Sequence, residues 1–103
     1  MFCLVLVTAK DEQEAKRLGE KLVSERLAAC VSVVPKMSSV YRWRGEIERA
    51  DEALILIKTS QEKLDRLIPR IKELHSYEVP EVLVLPIERS SPEYLKWLEE
   101  SLR

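Results

Sequence analysis

Arg44-Gly45-Glu46-Ile47-Glu48-Arg49-Ala50-Asp51-Glu52-Ala53-Leu54-Ile55-Leu56-Ile57-Lys58-Thr59 is the stretch that decides the fold. Arg44-Gly45-Glu46 reads as a turn, because Gly45 is free to take positive φ. A long strand then runs from Glu46 to Thr59. Its centre, Ala53 to Ile57, is apolar on both faces, the mark of a strand covered on both sides. Working back from the turn, Ser38 to Arg44 is the strand it pairs with. Ala29 to Pro35 carries an earlier strand segment, Cys30 to Val34. Pro35 lacks an N–H and marks an edge or a bend there. The two strands therefore make an unusually long hairpin, with Tyr41, Trp43 and Ile47 at its tip.

On the N-terminal side, Phe2 to Val7 is a continuous apolar run and reads as another strand covered on both faces. Thr8-Ala9-Lys10-Asp11 follows as a helix start. Ala15, Leu18, Gly19, Leu22 and Val23 then recur at helical spacing, and the helix should end near Arg26. On the C-terminal side, Thr59-Ser60-Gln61-Glu62 has the pattern of a capping box. Leu64, Leu67, Ile68, Ile71 and Leu74 form a helical stripe. Pro69 sits inside it and predicts a kink or a break. Val82 to Ile87 is the last strand. Ser91-Pro92-Glu93 opens a short final helix, with the proline in its first turn.

The order is β-α-β-β-α-β plus a C-terminal helix. This is an α+β, ferredoxin-like arrangement, and residues 1–103 read as one domain with no linker. Two main helices cover only one face of such a sheet, yet three strands are apolar on both. The second face and the hairpin therefore predict self-association.

Composition narrows the function. The chain is 46% hydrophobic and 34% charged, with a formal net charge of −1. A nucleic-acid binder needs a basic excess, and a polybasic membrane anchor needs the same. The first apolar run is far shorter than the roughly 20 residues of a membrane span. No secretory signal precedes it, so a cytoplasmic protein is expected. Cys3 and Cys30 read as reduced thiols without CxxC spacing. There is no asparagine, and Glu, Lys and Arg abound, which predicts a thermostable protein. RNA binding on this topology would need aromatics on the central strands, where Leu, Val and Ile stand instead. Neither a Ser-His-Asp order nor a pair of catalytic carboxylates is visible, so no enzyme is expected.

The densest gathering of chemistry is Leu74-His75-Ser76-Tyr77-Glu78-Val79-Pro80-Glu81, which holds the chain's only histidine. His75 falls at a helix C-terminus, where the dipole favours an imidazolium. It is either a capping or core-edge residue, or a ligand in a cleft between subunits. One imidazole does not hold a transition metal tightly. Glu78, Glu81 or a neighbour's cysteine would have to complete a site. Cys30 is either a small core residue or a soft thiolate suited to copper. Tyr77, Pro80 and Glu81 either line a small-ligand pocket or fix the start of the last strand and a subunit contact. Tyr41 and Trp43 read as interface anchors. Lys58 pairs with Glu46 or Glu48, or faces an anion in the cleft.

Leu27-Ala28-Ala29-Cys30-Val31, Ser39 to Glu46, Lys58-Thr59, His75 to Glu81 and Tyr94-Leu95-Lys96-Trp97 together resemble the CutA family of divalent-cation tolerance proteins. The resemblance spans nearly the whole chain. It implies a ferredoxin-like subunit in a tight homotrimer and a role in tolerance to copper and other divalent cations. No cofactor is required, copper or another divalent cation being the implied ligand. The implied partner is the protein itself, with no nucleic acid or membrane. The family's trimer is similar to that of PII signalling proteins. This keeps open an alternative, a regulatory sensor with a small ligand at subunit clefts lined by Lys58, Tyr77 and Glu81. The family's suggested copper ligands fall on Val7, Leu74 and His75, so only His75 is a donor here. The candidate metal contacts are therefore His75, Glu78 and Cys30.

Overall fold

The computed structural model describes residues 1–103. The chain runs β1 (Phe2–Ala9), α1 (Glu12–Ser24), β2 (Cys30–Trp43), β3 (Glu46–Ser60), α2 (Leu64–Leu74), β4 (Val82–Pro86) and α3 (Pro92–Ser101). A 3₁₀ turn, Gln61–Lys63, joins β3 to α2. The strands form one antiparallel sheet in the order β2-β3-β1-β4, the ferredoxin-like order expected from the sequence.

Alternation sorts the strand residues onto two faces. Val5, Val7 and Ala9 of β1 and Ala53, Ile55 and Ile57 of β3 point toward α1 and α2. There they meet Ala15, Leu18, Leu22, Leu67 and Ile71, and all of these are buried. Each Val, Leu or Ile closed off in this way contributes about 1.5–3 kcal/mol. Gly19 lets α1 approach β2, since a Cβ there would lie 2.8 Å from Val31 Cγ1. The other face carries Leu4, Leu6, Leu54, Leu56, Leu83 and Leu85, with Leu6 paired to Leu56 and Leu83 and Leu4 paired to Leu85. Neither main helix covers it, and Leu83 and Leu85 are 52% and 42% exposed. α3 packs at the end of the sheet, where Leu98 and Leu102 meet Ala29 and Phe2.

Local chemistry explains the element ends. Asp11 caps α1 by accepting the Glu14 N–H at 2.8 Å. Thr8 and Ala9, expected to belong to the helix start, stay in β1 because Leu54 and Ala53 still pair with them. Arg44 and Gly45 have φ of 50° and 84°, the two left-handed residues of a type I′ hairpin turn. Ser91 caps α3 by accepting the Tyr94 N–H at 3.3 Å.

Two sequence expectations give way. The capping box does not form. Thr59 is fully buried and donates to the Leu27 carbonyl at 2.7 Å, so its hydroxyl serves the core, and Ser60 makes no side-chain cap bond. Pro69 does not break α2, which continues to Leu74. Pro69 and Asp65, whose carbonyl loses its partner, both lie on the exposed side, where water replaces the missing bond.

Pro35 does mark an irregularity on an edge strand. Val34 pairs with Leu54 and Met37 with Glu52, so Pro35 and Lys36 together oppose Ala53. This one-residue bulge reverses the alternation of everything that follows it. Tyr41 and Trp43 therefore share the face of Glu52 rather than the helix side.

Candidate functional site

The segment after α2 is pinned at successive residues. The His75 backbone N–H caps the helix on Ile71 O at 3.0 Å. Its ring bonds through both nitrogens. Nε2–H donates to the Thr8 carbonyl at 2.6 Å, and Nδ1 accepts the Tyr77 N–H at 3.0 Å. A carbonyl only accepts and an amide N–H only donates, so the partners assign the neutral Nε2–H tautomer. The expected dipole-stabilised imidazolium is thereby corrected, because it would leave the Tyr77 N–H without an acceptor. The Ser76 N–H donates to Glu14 Oε2 at 2.9 Å, and the Lys10 N–H donates to Glu14 Oε1 at 3.0 Å. Burial alone would raise the Glu14 carboxyl. The bonds from Ser76 and Lys10 outweigh burial and hold the carboxyl below its ordinary value.

Tyr77 then reaches β3, and its hydroxyl donates to Glu52 Oε2 at 2.6 Å. Burial pushes the phenol well above its ordinary value, and the Glu52 carboxylate beside it pushes it further. With Tyr77 held there and the bulge turning Tyr41 and Trp43 to the same side, the segment and the hairpin enclose a groove of about 510 Å³. Glu52, Tyr77, Trp43, Tyr41, Glu78 and Glu81 line it. At its mouth the Arg44 guanidinium lies 3.4 Å from Glu78 and 5.4 Å from the centre of the Trp43 ring. Another hollow, of about 530 Å³, runs along α1 beside Arg17 and Lys21 and has no aromatic lining.

The residues singled out from the sequence thus divide. Tyr77, Glu78, Glu81, Tyr41 and Trp43 converge on the groove. Cys30 and Lys58 lie elsewhere, paired across β2 and β3 on the open face. Lys58 Nζ donates to Ser32 Oγ at 2.8 Å, with Cys30 Sγ 3.8 Å away. Its expected pairing with Glu46 or Glu48 does not occur, because those residues pair with Trp43 and Tyr41 near the hairpin tip. His75, Glu78 and Cys30 form no common donor set. No group of three or more His, Cys, Asp or Glu side chains in the chain has the geometry to hold a metal ion. His75 has both nitrogens engaged and Glu78 faces Arg44, so one subunit does not fit a resident metal.

Two residues escaped the sequence reading. Glu52 stands at the position of Leu54 and Leu56 in the strand alternation, and a carboxylate on that otherwise apolar face was the signal. Glu14 falls four residues before Leu18 on the buried stripe of α1, an equally visible anomaly.

Residues 3–101 match the family described as CutA1 divalent ion tolerance protein. A divalent-cation tolerance protein CutA of Thermus thermophilus is 46% identical over 98 residues, 95% of each chain. A chloroplastic protein CutA 1 of Oryza sativa is 44% identical over 100 residues, which are 97% of this chain and 56% of that one. A solved structure described as the periplasmic divalent cation tolerance protein CutA from Archaeoglobus fulgidus matches with a TM-score of 0.96 at 35% identity, over 100% of both chains.

Proposed function

Because this chain belongs to the CutA1 divalent ion tolerance protein family, we propose that it serves tolerance of copper and other divalent cations as a non-enzymatic homotrimer that contacts the ion weakly. The uncovered leucine face of the sheet carries this reading. Leu4, Leu6, Leu54, Leu56, Leu83 and Leu85 make a contiguous apolar surface of the kind that marks a protein contact. The hairpin beside it presents Tyr41 and Trp43, 45% and 40% exposed, as anchors for a neighbouring copy.

Weak contact with copper follows from the donors. Three or four are normal for a tight site. Here His75, Glu78 and Cys30 act singly unless another copy completes the set. Two free thiols and no helix long and apolar enough to cross a membrane support a reducing, cytoplasmic setting. The two-bond pair between Arg70 and Glu25 supports thermostability, since it ties α2 to the end of α1.

Light scattering at micromolar concentration tests the assembly, with three 12.0 kDa chains expected. A stable monomer would overturn it. Calorimetry with Cu(II) should show weak binding, and a tight site in isolated subunits would contradict the metal reading.

A second reading, a PII-like sensor with a small ligand at subunit clefts, is favoured by the groove of about 510 Å³. Thermal shift against metals and nucleotides separates the two, since specific binding raises apparent stability with ligand concentration.

A further inference from the structure

We propose that Glu52 of one copy and Lys58 of the next form an ion pair across the contact between subunits, so that both charges are matched only in the assembly. This rests on the reading of the uncovered sheet face as a contact between copies and names the residues that meet there.

Both residues stand on the open face of β3, in the row Glu52, Leu54, Leu56, Lys58. Glu52 is only 7% exposed, and its one side-chain partner is the neutral Tyr77 hydroxyl, on Oε2. Lys58 is half-buried, and its ammonium meets only Ser32 Oγ and Cys30 Sγ, at 2.8 Å and 3.8 Å. No ion pair of the fold includes either residue. A charge withdrawn from water without an opposite charge is unfavourable. A second copy laid over this face withdraws both charges further.

The subunit cannot match them within itself. Glu52 and Lys58 are six positions apart on β3, about 20 Å along a strand. The ladder fixes each in place, with Lys58 between Leu4 and Cys30 and Glu52 opposite Met37. Lys58 is also the only cation among the residues paired on this face, so nothing else there can serve Glu52. Glu46 and Glu48 share the face farther along the hairpin, but they are exposed and solvated. A cation for Glu52 and a carboxylate for Lys58 therefore come from outside the subunit. A second copy carries both, at the required spacing.

The topology leaves Glu52 within reach of a neighbour. β1 pairs with β3 only as far as Ala53, so Glu46 to Glu52 pair with β2 alone and the hairpin leaves the four-stranded body there. Glu52 stands at the root of this arm, and Lys58 lies toward the other end of the body. A row that is negative at one end and positive at the other suits a head-to-tail contact. Each copy then gives Glu52 to one neighbour and Lys58 to the other, and such contacts close into a ring.

The test uses the full chain, with its assembly followed by light scattering over a dilution series in urea, which leaves charges unscreened. Glu52→Gln keeps a carbonyl oxygen for the Tyr77 hydroxyl but loses the charge, and Lys58→Met keeps the length of the side chain. Each single variant should weaken the assembly tenfold or more, because it strands the opposite charge. The double variant should be weakened far less than the product of the two singles. The charge-exchanged double variant, Glu52→Lys with Lys58→Glu, should assemble better than either of its single reversals. Two residues without contact in the subunit show such coupling only if they meet between copies. Independent effects in the neutral series overturn the pairing and leave the assembly reading standing, and that series decides if a charge-reversed variant does not fold. An unaltered chain that stays monomeric overturns both.

Discussion

The Tyr77 hydroxyl donates a 2.6 Å hydrogen bond to Glu52 Oε2 and so ties the segment after α2 to β3. This contact closes one wall of the groove. It also holds a phenol in a place where ionisation would set two negative charges side by side.

Tyr77 should therefore ionise late. The fold raises its value above the ordinary 10.0, so the folded state retains the proton that the unfolded state releases. The contribution to stability is full below pH 10 and is lost as pH rises toward the raised folded value. In an alkaline absorbance titration, one of the three tyrosines should lag, and Tyr77→Phe should abolish the lag. That substitution also strips Glu52 of its partner, at a cost of about 1–3 kcal/mol. Identical titrations of the two proteins would refute the assignment.

Glu14 governs the acid side. Its carboxyl is held below the ordinary 4.5, so the unfolded state binds its proton first. The stabilisation is complete above pH 4.5 and disappears as pH falls through the lowered folded value. Glu14→Gln cannot accept from both the Lys10 and the Ser76 N–H. It should lose about 1–3 kcal/mol at neutral pH and show a shallower loss of stability on acidification. Denaturant midpoints measured across the acid range check both effects.

Gly19 is set by contact rather than by helix preference. Alanine would gain about 1 kcal/mol in helix propensity. Its Cβ would sit 2.8 Å from Val31 Cγ1, and overpacking of this kind costs about 1–3 kcal/mol. Gly19→Ala should lower the unfolding free energy by a net of about 1 kcal/mol, read as a lower denaturant midpoint with an unchanged slope. Adding Val31→Ala should relieve the clash itself. A midpoint that rises in the single variant would show that β2 yields freely.

The open sheet face gives a fourth test. Leu85 is 42% exposed, so Leu85→Glu on an isolated subunit should change stability by no more than about 0.5 kcal/mol. In an assembly built on that face it buries an unpaired charge. Light scattering should then report a smaller particle, whereas an unchanged mass would place the contact elsewhere.

Much of the scaffold was legible because it rests on local pattern. The continuous apolar run of Ala53 to Ile57, the helical spacing of Ala15, Leu18 and Leu22, and the turn at Gly45 all depend on near neighbours in the chain. Thr59 misled because its hydroxyl has two uses, capping a helix or serving the core. Only the position of Leu27 across the sheet decides between them. Pro69 misled because a lost helical bond matters little on a wet face.

The groove was half legible. Tyr77, Glu78 and Glu81 stood out by composition, and Tyr41 and Trp43 by their place on the hairpin. That these meet depends on a bulge at Pro35, which a proline suggests but whose parity no pattern states. Glu52 and Glu14 could have been flagged as carboxylates on apolar faces. Their partners could not.

By itself, then, the sequence determined the element order, the ferredoxin-like topology and a sheet with a second apolar face, since periodicity and turn chemistry act over a few residues. The tertiary structure alone decided which groups touch. It tied the His75 ring to the Thr8 carbonyl, 67 positions away. It set the Tyr77–Glu52 bond across 25 positions and the separation of Cys30 and Lys58 from the groove. Contacts at such separations follow from strand register and loop path, which depend on the whole fold.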